Sequence, residues 1–118
     1  MANELPQDVI TLETAQDWAT NWNKQGASFL SKNALKAFLI PAEDVQGIIS
    51  DDKTYHIRGY LGLEQKADGT LEPHMMVVGV DSNQNDMIDY ENGYYIYDFT
   101  SPCPNTCNTT APFINSAK

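Results

Sequence analysis

Basic residues are scarce in this 118-residue chain: 7 Lys+Arg stand against 16 Asp+Glu, a formal charge of −9. Residues 67–117 contain no Lys or Arg, yet seven acids fall there (Asp68, Glu72, Asp81, Asp86, Asp89, Glu91 and Asp98). A charge of this sign argues against sequence-independent binding to nucleic acid or to anionic membranes, both of which need a cationic surface. No apolar run approaches the roughly 20 residues that span a bilayer. The opening Met1-Ala2-Asn3-Glu4 lacks the basic head and apolar middle of a secretory signal. The cytoplasm is therefore the default compartment, with signal-independent secretion left open.

Cysteine is limited to Cys103 and Cys107, in the run Cys-Pro-Asn-Thr-Cys. Two thiols do not make a zinc site, and His56 and His74 are the only imidazoles available to complete one. The spacing is not the Cys-x-x-Cys of a thiol oxidoreductase, so the pair reads as a structural clasp on the C-terminal tail, a disulfide or two thiols according to the compartment. Glycines are scattered, with no phosphate-cradling loop, and no serine sits in a nucleophile elbow. Asp81 or Asp98 could orient a histidine as a general base, but nothing in the sequence places them together. No catalytic residue is assigned.

What is present fits one domain over residues 1–118, with 101–118 an irregular tail rich in Pro, Asn and Thr. Leu12, Ala15, Trp18, Ala19 and Trp22 share a helical face, Thr11 suits the N-cap and Glu13 the first turn. Gly26 offers a stop, and Trp18 and Trp22 form an aromatic ridge suited to the core. A helical turn over 28–34 leads to a buried strand over Lys36–Ile40. Pro41 then starts a short helix with Val45, Ile48 and Ile49 as its apolar stripe.

From Tyr55 the period changes to two. Tyr55, Ile57, Leu61 and Leu63 fall on one face, while His56, Arg58, Tyr60 and Glu64 form the polar, outer face. The turn Ala67-Asp68-Gly69-Thr70 joins this strand to Met75–Val80, which is apolar on both sides and reads as central. Asn92-Gly93 signals a further hairpin into the strand Tyr94–Thr100. The reading is an α+β, two-layer domain: N-terminal helix, strand, short helix, then an antiparallel meander of three to four strands, with the helices on one sheet face.

Two features could carry function. The turn 81–92 places Asp81, Asn83, Asn85, Met87 and Asp89 at positions 1, 3, 5, 7 and 9 of a calcium-loop pattern. Asp86 replaces the required glycine, Asn92 replaces the bidentate glutamate, and the flanks are strands, so a plain polar turn competes with calcium binding. Tyr60, Tyr90, Tyr94, Tyr95 and Tyr97 are the second feature. Tyr beside acids is the composition of a protein contact surface, against which stands simple cross-strand stabilisation. The leading expectation is a small acidic, non-enzymatic interaction or assembly module, meeting a basic protein partner or a second copy. Calcium binding is the alternative, and a small enzyme with a shallow His/Asp site the third; no other cofactor is expected.

Overall fold

The computed structural model describes residues 5–103. The elements are β1 (Val9–Ile10), α1 (Leu12–Lys32), β2 (Ala37–Leu39), α2 (Ala42–Ile49), β3 (His56–Gln65) and β4 (Leu71–Val80). They continue with β5 (Asp86–Met87), a 3-10 turn (Tyr90–Asn92), β6 (Ile96–Tyr97) and β7 (Ser101–Cys103). The α+β class and the order of a long helix, a short helix and antiparallel strands are as expected from the sequence. Among the described residues no helix is long and apolar enough to cross a membrane.

Thr11 caps α1 as its chemistry suggests: its side-chain oxygen accepts from the Thr14 N–H at 3.0 Å. The helix does not stop at Gly26 but runs through it to Lys32. Gly26 is buried, and a Cβ there would meet the Trp22 indole at 3.0 Å. The glycine is thus a packing gap for the ring and not a terminator. Of the segment 28–34, residues 28–32 accordingly form the last turn of α1, with Phe29 buried at 7% exposure. Asn33 closes the helix by donating from its side chain to the Phe29 carbonyl at 2.9 Å.

The centre of the molecule is the β3–β4 hairpin, paired from His56↔Val80 to Gln65↔Leu71. On the other side of β4 lie β5 (Gly79↔Met87) and β6 (Val77↔Tyr97), while β1 pairs with β6. β4 is therefore central, and Met76 to Val80 are all buried. The Lys66 N–H donates to the Thr70 carbonyl at 2.8 Å. That bond fixes the ladder's alternation so that even-numbered pairs bond each other and odd-numbered residues direct their backbone groups away from the partner strand. Pro73, opposite Leu63, consequently loses no bond to β3, and the Leu63 carbonyl is free to accept from Asn21 at 2.9 Å.

The face assigned as polar and outer is the one α1 covers. A Cβ on Gly62 would lie 2.8 Å from the Trp18 Cβ and 2.9 Å from the Met76 Cε. Register explains the inversion. The even residues of β3 share their face with Met76, Val78 and Val80 of β4, and these three, with Ala15 and Ile96, make the core cluster. β4 supplies the apolar volume; β3 supplies a glycine that lets the helix approach. The opposite face is covered unevenly: Leu63 is fully buried there and Val77 2% exposed, whereas Ile57 is 39% and Leu61 41% exposed. α1 and the sheet make the two layers. α2 is not on the α1 face: its Ile48 meets the other face of β4, 3.3 Å from the Cβ position of Gly79.

Two further expectations need correcting. The strand near 36–40 is not buried, since Leu39 is 55% exposed, and it pairs with β7 in a separate two-stranded sheet. The run 94–100 is not one strand. Only Ile96–Tyr97 pairs within the main sheet, and Ser101–Cys103, assigned to the irregular tail, pairs with β2. The rest of that tail lies outside the described residues.

Gly62→Ala is expected to cost about 1–3 kcal/mol, because the Trp18 Cβ, fixed to the α1 backbone, and the buried Met76 methyl must both give way. Gly47→Ala in α2, where a Cβ meets nothing within 4 Å, is expected to gain up to about 1 kcal/mol from helix propensity. Urea-unfolding midpoints check both. An unshifted midpoint for Gly62→Ala would contradict the placement of α1.

Candidate functional site

The sequence between β5 and β7 builds an aromatic wall. Gly93 takes a φ of 83° after the 3-10 turn, a conformation glycine adopts without steric cost. The chain reverses there, and Asp89 and Tyr94 exchange backbone bonds of 2.8 and 3.0 Å. Alternation then sends Tyr95, Tyr97 and Phe99 to one face. Tyr95 and Tyr97 meet edge to face with centroids 6.1 Å apart, and Tyr97 lies 5.6 Å from Phe99. Tyr90 meets Tyr95 edge on at 5.2 Å and donates its hydroxyl to the Ile10 carbonyl. Tyr94 reaches across to the turn after α2, where its hydroxyl donates to Asp51 Oδ2 at 2.8 Å.

Between this wall and α2 lies a cleft of about 240 Å³. Tyr94, Tyr95 and Tyr97 line it together with Asp51, Met87 and the small residues Gly47, Gly79 and Gly93. Its charge is set by Asp51. A backbone N–H from Lys53 and the Tyr94 hydroxyl hold that carboxyl below its usual 3.8. Conversely, the bond to Asp51, then the loss of hydration, and then the charges of Asp51, Asp52 and Asp89 push the Tyr94 phenol above 10.0. Aromatic rings beside an ionised carboxylate, in a field dominated by acids, form an environment for an organic cation. Among the described residues the cleft's polar side chains besides the tyrosines are Asp51, Ser50 and Thr54.

The structure thus gathers Tyr94, Tyr95 and Tyr97 at one site with Tyr90 behind them, but places Tyr60 elsewhere. Tyr60 lies under α1, 40% exposed, donating to Asp86, which also pairs with Arg58. In the 81–89 turn Asp86 is engaged by β3, and Asp81 and Asp89 make local bonds. Asp81 Oδ1 accepts from the N–H groups of Asn83 and Asn85, both at 2.9 Å, and Asp89 Oδ2 accepts from the Asn92 amide at 2.6 Å. Met87 is drawn into β5 and the cleft lining. Cys103 is buried at the end of β7, and Cys107 lies outside the described residues.

Sequence reasoning did not assemble the surroundings of His74. Its Nδ1 lies 3.0 Å from Asp98 Oδ1 and its Nε2 lies 2.8 Å from Glu64 Oε1, while the ring stacks on Trp18 at 4.1 Å. Burial lowers the affinity of this imidazole for a proton, but the bonds to Asp98 and Glu64 outweigh it and hold the pKa above 6.5. Asp98, not Asp81, is the acid that reaches a histidine. Counting residues outward from the 67–70 turn would have set Glu64 opposite Glu72, next to His74; the approach of Trp18 and Asp98 carries no local signal.

Four of the six tyrosines (Tyr60, Tyr90, Tyr94 and Tyr97) have phenols shifted above 10.0, by bonds to carboxylates or by burial. Phenolate absorbance of the folded protein is therefore expected to rise later with pH than that of the urea-unfolded chain, and Tyr94→Phe to remove one late-ionising group. Coincident curves would contradict the hydroxyl contacts. Comparison with protein-family models, with curated proteins and with solved structures finds no match for this chain, so its reading rests on the site itself.

Proposed function

We propose that this protein is a non-enzymatic binding module for a basic protein partner, and that the tyrosine-lined cleft takes a lysine or arginine side chain of that partner. The observation that carries this reading is the juxtaposition of Tyr94, Tyr95 and Tyr97 with Asp51 in one open cleft. A cation there gains a carboxylate and ring faces together, which is worth about 0.5–2 kcal/mol for the aromatic contribution alone. The long-range field has the same sign: the chain carries −9, and residues 67–117 contribute only acids. Such a field raises the encounter rate with a cationic surface and turns away acidic ones. Tyrosine suits the role because it offers a large contact area with few rotatable bonds.

Fluorescence anisotropy with a labelled arginine-containing peptide checks the proposal. Binding is expected to weaken with salt and to be absent for an acidic peptide of equal length. Asp51→Asn and Tyr95→Ala are each expected to reduce affinity by about 5–30-fold, which corresponds to about 1–2 kcal/mol. Because the Asp51 carboxyl titrates below 3.8, its charge persists as pH falls through the mildly acidic range, and binding is expected to persist with it. Equal binding of basic and acidic peptides, or affinity unchanged in both variants, would overturn the assignment.

A further inference from the structure

A second constellation, sharing no residue with the cleft, is formed across the β3–β4 ladder. Glu64 and Glu72 are directly opposed in register, and His74 follows Glu72 two residues on, on the same face. Like charges directly opposite one another in an antiparallel pair repel. Each glutamate is only partly compensated: Lys66 Nζ lies 2.6 Å from Glu72 Oε1, and His74 Nε2 lies 2.8 Å from Glu64 Oε1.

We propose that Glu64, Glu72 and His74 form a divalent transition-metal site, with His74 ligating through Nε2. One donor atom from each residue lies within 4.8 Å of the others, so small rotations of two half-exposed carboxylates bring them to metal-bond distances of about 2.0–2.2 Å. The orientation of the imidazole argues separately for a ligand role. The ring stands between two carboxylates, with Asp98 Oδ1 3.0 Å from Nδ1 and Glu64 Oε1 2.8 Å from Nε2, and stacking on Trp18 fixes its plane. A neutral ring carries one N–H for these two acceptors, so with that proton on Nδ1 the Nε2 lone pair faces the Glu64 carboxylate, acceptor against acceptor. Only a proton or a metal ion relieves that opposition. A carboxylate behind a histidine, holding its far nitrogen towards an ion, is the usual outer support of a metal ligand.

The chemistry of the donors selects the ion. One imidazole with two carboxylates suits Zn²⁺, Co²⁺ or Mn²⁺ and disfavours Ca²⁺, which takes oxygen donors alone. On binding, the metal displaces any proton on Nε2 and releases Lys66 from Glu72; three protein ligands leave room for water. The ion has a route in, because His74 is 13% exposed while Glu64 and Glu72 are 32% and 42% exposed.

The test is titration of the chelator-treated full chain with Zn²⁺ by calorimetry, and with Co²⁺ by visible absorbance. One equivalent is expected to bind, and Ca²⁺ is expected not to compete. Glu72→Gln, a half-exposed surface change that leaves the fold intact, is expected to weaken binding by about 10–100-fold, and His74→Gln to abolish the cobalt spectrum. Lys66→Met is expected to tighten binding by removing a competitor for Glu72. Absence of binding by the unaltered chain would overturn the site, as would Zn²⁺ affinity unchanged in Glu72→Gln.

Discussion

The contact of Trp18 with Gly62, Met76 and His74 is the constraint on which the rest of the structure depends. Gly62 removes the side chain that would hold α1 away from β3, and the Trp18 Cβ occupies that space. Once the helix is seated there, the even-numbered face of the ladder becomes the interior. Met76, Val78 and Val80 then bury themselves at about 1% exposure. The same indole stacks on His74, so the ring that joins helix to sheet also fixes the orientation of the one half-buried histidine. A larger residue at position 62 would disturb packing, helix placement and histidine orientation together.

The fold was legible where local chemistry decides. Thr11 announced its cap, the apolar run before Asp81 announced a central strand, and the 67–70 turn joined the strands it was expected to join. It was illegible where a distant partner decides. Gly26 has the composition of a stop, and only the rotamer of Trp22 makes it a gap. Alternation in β3 separated the two faces correctly, but which face is interior depends on the residues of β4 across the register. β2 finds β7 some sixty residues later, and no short-range pattern reports that pairing. For the site, the tyrosines of the last segment could be picked out by composition, whereas Asp51 joins them through a single hydroxyl contact across 43 residues.

Both candidate sites use the same surplus. Acids outnumber bases by nine across the chain, and the described structure spends some of them on hairpin turns and ion pairs, such as Asp81 on its own turn and Asp86 on Arg58. Asp51 and the opposed pair Glu64 and Glu72 also have partners, in the Lys53 N–H and Tyr94, His74 and Lys66, but they lie in places open to a cation. Their surroundings then set the kind of cation. Phenol rings around Asp51 match a diffuse organic charge, while an imidazole beside two glutamates matches a compact ion with directed bonds. The difference is one of neighbours and not of net charge, so two sites of the same sign need not compete for one partner.

The most direct test of a cation-accepting cleft is backbone amide NMR of the labelled protein during titration with an arginine-containing peptide. Shifts concentrated at Gly47, Gly79, Gly93 and Tyr94–Tyr97 are the expected result. Shifts spread evenly over the acidic surface, with those amides unmoved, would contradict it and reduce the interaction to nonspecific charge attraction.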